Sequence, residues 1–285
     1  MSALRLAVLG DVHQHFGAED VEALDGGGYD AVLFVGDLAS YTEGGGLRTA
    51  RRIAALRTPA YMIPGNHDGT WLPQLAVETF PKLFGARPYF GHLQAWRVAR
   101  LRRALGPVRL VAYERLDLGS HELLAARPHS SGGPGLAFRT HLAKAHGVGD
   151  LDASAERLRT LVRGATKPLI VLAHNGPTGL GEGPEDPCGR DFAPEARSLP
   201  GDWGDRDLRA ALDAAPTPPQ VVCFGHMHHD LKTGGTRRWQ TRDAAGTLHV
   251  NAARVPRIDA AGRRHHVRLV LPLGGGPAQA EEIWV

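Results

Sequence analysis

Eight side chains in this 285-residue sequence stand where they could do chemistry together: Asp11, His13, Asp37, Asn66, His67, His174, His226 and His228. One group lies in the hexapeptide PGNHDG, residues 64–69, where an amide, an imidazole and a carboxylate follow a short apolar run. Asn and Asp suit tight turns for backbone reasons, but a turn does not call for the histidine. Taken singly, each of the eight has a plain reading as a turn residue or a satisfied core residue. Carboxylates gathered in one cleft repel one another and are costly to bury, unless a cation neutralises them. The set offers oxygen and nitrogen donors and no thiolate, which suits Mn, Fe, Zn or a mixed pair better than a cysteine-rich structural zinc site.

The elements that must carry these residues are written in the surrounding pattern. LRLAVLGDVH, YDAVLFVGDLA and PAYMIPGNHD each read as an apolar strand, a glycine or proline turn and a polar cluster, separated by the helix-like stretches EDVEALD and LRTARRIAALR. Strands alternating with helices imply parallel pairing, and ligands collect beyond the carboxyl ends of such strands. The pattern returns in KPLIVLAHNGP and PPQVVCFGHMHHD, both ending in histidine. Residues 71–106 read as helical and aromatic-rich, PVRLVAYERLDLGSHELLAA as two short strands or a hairpin, and 138–162 as a helical stretch. PHSSGGPG, with His129 and Ser131, reads as a flexible turn, the alternative being an anion-binding nest of backbone N–H groups. The segment 176–205, dense in Gly, Pro and acidic residues, is a candidate lid or substrate-shaping element. TLHVNAA, HHVRLVLP and EEIWV are expected as strands of a second, more antiparallel sheet.

Composition sets wider bounds. Hydrophobic residues at 42% and charged residues at 22% are ordinary for a globular chain, which argues against disorder throughout. The formal charge of +3 comes with scattered arginines, so a nucleic-acid partner is possible in principle but not favoured; Arg97, Arg100, Arg102 and Arg103 read as a solvated helix face. Cys188 and Cys223 form neither a disulfide framework nor a metal-type spacing. The first apolar run is too short for a secretory leader and no stretch is long enough to span a bilayer, so a cytoplasmic location without membrane partners is the expectation.

The ordered series DVH, GD, GNHD, H and GHMH, running from Asp11 to His228, resembles the calcineurin-like metallophosphoesterase superfamily. The resemblance implies an α/β fold, a four-layer αββα sandwich of two mixed sheets flanked by helices, forming a single domain over 1–285 with insertions near 71–106 and 176–205. It implies one metal held by Asp11, His13 and His228, a second held by Asn66, His174 and His226, and Asp37 bridging them. It further implies a hydrolase that attacks a phosphate ester in line with a metal-bridging hydroxide, His67 stabilising charge or protonating the leaving oxygen. The phosphoprotein-phosphatase branch continues its second motif as GD-x-x-D-R-G, whereas this chain reads GDLASYTEGG. That departure turns the expectation towards a small phosphodiester or nucleotide. A phosphomonoesterase, including a phosphoprotein phosphatase, is the alternative; a nuclease comes third, and a non-catalytic metal-dependent scaffold is the non-enzymatic reading.

HNGPTGLGEGPEDPCGRDF and GDWGDRDL are similar to a bacterial and plastid subgroup of the same superfamily. Arg139, Arg190 and Arg254 are candidates to grip phosphate, Asp68 a candidate partner of the ligands or turn residue, and Asn251 a candidate read as structural.

Overall fold

The computed structural model describes residues 3–40, 46–79, 89–191, 201–232, 234–273 and 276–285. Parts of both expected insertions, 80–88 and 192–200, lie outside the described residues.

The first sheet is built on β1 (Ala3–Leu9), β2 (Ala31–Phe34), β3 (Ala60–Met62) and β4 (Arg109–Leu110), all mutually parallel. Alternation in β1 sends Leu6 and Val8 to one face and Ala7 and Leu9 to the other. On the outer face, Ala7, Leu9, Val32, Phe34 and Met62 pack against helices α1 (Ala18–Gly26), α2 (Leu47–Ile53) and α4 (Tyr89–Ala104), through Leu24, Ile53 and Leu101. Helix α3 (Leu72–Thr79) precedes α4 in the chain.

The second sheet runs β5 (Glu114–Asp117), β6 (Glu122–Ala125), β7 (Leu169–Leu172), β8 (Val221–Phe224), β10 (Leu248–Asn251) and β9 (Gln240–Arg242), in that spatial order. Strands β6, β7, β8 and β10 are parallel, with β5 and β9 antiparallel at the edges. LIVL and VVCF in β7 and β8 are buried throughout, as strands covered on both faces must be. The inward faces of the two sheets share one apolar cluster, which also takes in Leu142, Leu158 and Leu208 from α5 (Arg139–His146), α6 (Leu151–Arg163) and α7 (Arg206–Leu212). The layers are helix, sheet, sheet, helix.

Three sequence expectations change in detail. The tail does not make a sheet of its own: β10 joins the second sheet parallel to β8, while β11 (His265–Pro272) and β12 (Gln279–Trp284) extend the first sheet antiparallel to β1. The stretch 138–162 is two helices, broken where Gly147 turns at φ 71° and Asp150 caps α6 by accepting the Ala153 N–H at 2.8 Å. PVRLV and its successor divide between sheets, β4 closing the first and β5–β6 opening the second.

Parallel register makes the site possible. Leu9 lies opposite Phe34 and Phe34 opposite Met62; Leu172 lies opposite Cys223 and Phe224 opposite Asn251. Side chains a few residues beyond these positions emerge at one edge of the sandwich.

Candidate metal centre

The strand ends leave their sheets through sharp turns. Asp11, His13, Asp37 and His226 adopt positive φ (47°, 42°, 56° and 67°), a region that non-glycine residues seldom occupy and that accumulates at functional sites. Two glycines let the carboxylates pass: a Cβ on Gly65 would lie 2.1 Å from Asp37 Oδ1, and one on Gly225 would lie 2.3 Å from Asp11 Oδ2. Backbone N–H groups then fix each carboxylate, His67 N donating to Asp37 Oδ1 and His226 N to Asp11 Oδ2, both at 2.9 Å.

Two adjoining groups result. Asp11, His13 and His228 form one, and Asp37, His174 and His226 the other, with the donor atoms of each within 4.8 Å of one another. In the first, His13 Nδ1 donates to the Ala39 carbonyl at 2.6 Å, which leaves Nε2 as a lone pair 3.2 Å from His228 Nε2. In the second, His174 Nδ1 lies 2.7 Å from the Val35 carbonyl, so its Nε2 faces Asn66 Oδ1 at 2.9 Å with no proton left to share unless the ring is cationic. Asn66 Oδ1 is also 3.0 Å from His226 Nδ1. Asp11 Oδ1 is buried without a formed hydrogen bond among the described residues, its nearest ring nitrogen being His228 Nε2 at 3.3 Å. Lone pairs converging on one another in a buried place need a cation between them.

The electrostatics point the same way. Burial opposes ionisation of Asp11, yet His228, then His174 and His13, hold its carboxyl well below the usual range; His174 and His67 do the same for the buried Asp37. Burial works against a charged His174 and His228, but Asp37 and Asp11 raise the first and Asp11 raises the second. His226 is pushed down to about 3 by burial and by His174. The donor set therefore fits divalent cations taking nitrogen and oxygen ligands, and the two buried cysteines are not among it.

His67 borders both groups. Its ring stands 5.5 Å from that of His13, and its Nε2 is 4.0 Å from Asp37 Oδ2. Burial lowers its pKa, while Asp37 acts to raise it. Asp68 lies beneath, accepting the backbone N–H groups of Asp37 (2.7 Å), Leu38 and Gly65 (both 2.8 Å). It ties the GD turn to the GNHD turn, although burial and the charge of Asp37 push it up to about 7. Asn251 is wholly buried; its amide donates to the carbonyls of Met227 (2.7 Å) and Pro187 (3.3 Å), joining the GHMH turn to the 176–191 stretch. Of the candidate phosphate arginines, Arg139 is exposed on the first turn of α5, Arg190 lies over the Trp203 ring and Arg254 over the Trp284 ring.

Two features escaped the sequence reading. The carbonyls of Val35 and Ala39 that set the histidine tautomers carry no side-chain signal. Arg127, the first polar residue after β6, is buried and paired with Asp207 (2.7 Å) and Asp205 (2.8 Å). Its strand-end position, equivalent to those of the other clusters, was the available sign. The neighbouring HSSGG turn is also held in place, since His129 Nδ1 bonds the Gly65 carbonyl at 2.9 Å and Ser130 Oγ donates to Asp205 at 2.7 Å.

Residues 4–230 match the calcineurin-like phosphoesterase family. A search of curated proteins found no match. Among solved structures, one superposes with a TM-score of 0.57 at 12% identity, 98% of this chain and 99% of that chain being covered. A protein of Thermus thermophilus, TT1561, does so at 0.51 and 13% identity, with the same 98% and 99% coverage. A dimetal phosphatase from Danio rerio gives 0.48 at 10% identity, again covering 98% and 99%. At these identities the first two likenesses speak for the fold alone.

Proposed function

The chain belongs to the calcineurin-like phosphoesterase family and is a phosphoester hydrolase; from that premise we propose that it cleaves a small phosphodiester or nucleotide at a two-metal centre. In this reading Asp11, His13 and His228 hold one cation, Asn66, His174 and His226 the other, and Asp37 is shared. The observation that carries it is the pair of adjoining groups with lone pairs turned inward and Asp11 Oδ1 left without a donor among the described residues. A bound cation pair supplies Lewis acidity towards phosphoryl oxygens and makes a nucleophile from water near neutral pH.

The chain's own residues do the rest. The Ala39 and Val35 carbonyls keep His13 and His174 in the tautomer whose Nε2 is free to ligate. Asp68 fixes the backbone that presents Asp37 and Asn66. His67 Nε2, at the border of the two groups, donates a proton or hydrogen bond to the departing alkoxide; burial lowers its pKa, which makes the protonated ring a stronger acid, while Asp37 acts to raise it. The diester preference is supported by the second motif, which lacks the arginine of the phosphoprotein-phosphatase pattern.

The test is the rate on a chromogenic phosphodiester against its matching monoester, with protein stripped and reloaded with Mn, Fe or Zn in turn. A metal-dependent diester preference is expected. A monoester preference would make the protein a phosphomonoesterase and overturn the substrate assignment.

A further inference from the structure

Three residues after His67, the chain enters a cleft that the centre does not use. Its cavity, about 260 Å³, is lined by Thr70, Trp71, Trp96, Arg97 and Arg100, with Leu47 of α2 also on its wall. Trp71 and Trp96 are 51% and 56% exposed, the only tryptophans among the large hydrophobic side chains that the described residues leave open to water. Each indole has a guanidinium over its face: Arg97 Cζ is 5.8 Å from the Trp71 ring and Arg100 Cζ 4.7 Å from the Trp96 ring. The wall is braced from below. Arg97 donates to Gln74 Oε1 at 2.6 Å, and the buried Gln94 reaches the Asp68 carbonyl at 3.4 Å and Thr70 Oγ1 at 3.3 Å.

We propose that this cleft binds the nucleobase of a mononucleotide unit in the substrate. The inference rests on the phosphodiester reading above and names the part of the substrate that lies away from phosphorus. Half-exposed indoles suit a planar ring, because base-on-aromatic stacking is favourable for every base. Guanidinium groups on the same wall favour a ring that carries an anion beside it, which a nucleotide does and an uncharged aromatic does not. The volume gives room for one ring system. Distance agrees: Thr70 N bonds the His67 carbonyl at 3.4 Å, and three residues reach at most about 10 Å even when fully extended. Thr70, on the cleft wall, is therefore within about 10 Å of His67 along the chain. The basic helix face predicted from Arg97 and Arg100 is accordingly stacked on indoles on this side of α4.

The experiment measures equilibrium binding by calorimetry of thymidine 5′-monophosphate and of deoxyribose 5-phosphate to the metal-loaded His67→Ala protein. The rate on ethyl p-nitrophenyl phosphate is recorded in parallel with the unsubstituted enzyme. The nucleotide is expected to bind about 10-fold or more tightly than the sugar phosphate. Adding Trp96→Ala, or Trp71→Ala, should remove that ratio and leave sugar phosphate affinity unchanged, which also shows that the variant is folded. Arg100→Gln, which removes a charge that favours the phosphate both ligands share, should weaken the two alike and leave their ratio in place. Equal affinities for the two ligands, or a ratio that survives both tryptophan changes, would overturn the inference while hydrolysis of the ethyl ester still upheld the phosphodiesterase. Failure of that hydrolysis with the ratio intact would remove the catalytic reading and leave the nucleobase site standing. Affinity that grows with oligonucleotide length would replace the mononucleotide by a strand and count against the site as drawn.

Discussion

Two clusters of buried charge lie close together at the strand ends, and they solve the same problem differently. Around Arg127 the chain supplies its own cation: the guanidinium pairs with Asp205 and Asp207, Ser130 and Asn175 donate to Asp205, and Ser154, itself bonded to the Tyr113 hydroxyl at 2.6 Å, donates to Asp207. Around Asp11 and Asp37 no lysine or arginine among the described residues plays that part; histidine nitrogens and an amide oxygen face one another, and a carboxylate oxygen lacks a donor. One cluster is closed by covalent sequence, and the other is complete only with something added. The difference separates a structural ion pair from a ligand site without reference to which residues are acidic.

The largest test of that contrast is loss of the added cation. Asp37→Ala should abolish metal uptake, measured by elemental analysis, and turnover with it. His67→Ala should keep the metal and lose about 10²- to 10⁴-fold in rate, the usual worth of a positioned proton donor. A fully active His67→Ala enzyme would remove the proposed role. Saturating metal at about 100 times its Kd should stabilise the stripped protein against denaturant by about 2.7 kcal/mol for each cation bound, and leave Asp37→Ala unmoved.

Next comes the closed cluster. Arg127→Ala strands two buried carboxylates and should destabilise the fold by about 3–5 kcal/mol, read as a lowered denaturation midpoint, while metal affinity per folded molecule is retained. If metal uptake falls instead and stability holds, the two clusters are one unit and the contrast is wrong.

The smallest effect per group is in pH. Burial pushes His129 down to about 3 and His141, His146, His229 and His266 to about 4, so the unfolded chain takes up protons below its ordinary value near 6.5 that the native state refuses. Stability contributed by these groups is present above that value and is lost as pH falls towards 4, about 1.4 kcal/mol per net proton per pH unit. Two raised carboxyls act in the opposite sense over the same window: Asp68, and Asp205, which burial pushes up to about 6 with Arg127 opposing and Asp207 adding. Asp205→Asn should therefore steepen the acid loss between pH 6 and 4 in urea titrations. An unchanged slope would mean that Asp205 shares Arg127 without carrying the surplus charge.

Much of the centre was legible because each candidate residue follows an apolar run and a turn, and parallel strands deliver such positions to one edge. The parallel α/β pattern followed from the same alternation, and the four-layer sandwich from the family resemblance. What stayed hidden has a common cause in contacts between distant segments. Arg127 looked like one more arginine until α7 brought Asp207 to it from 80 residues away. HSSGG looked flexible because its glycines and serines show, whereas the Pro64 and Gly65 carbonyls that hold His129 do not. The tail strands were assigned to a separate sheet because local pattern fixes which residues extend, but not which open edge they join.

By itself, then, the sequence determined the strand-turn-ligand units, their order and the absence of thiolate donors, since those depend on residue type and on local periodicity. The tertiary structure alone decided which histidine nitrogen is free, which carboxylate receives a chain cation, and that two tryptophans stand open beside the GNHD turn. Each of these depends on where a backbone carbonyl, a guanidinium or a helix from elsewhere in the chain comes to rest, and no local pattern carries that distance.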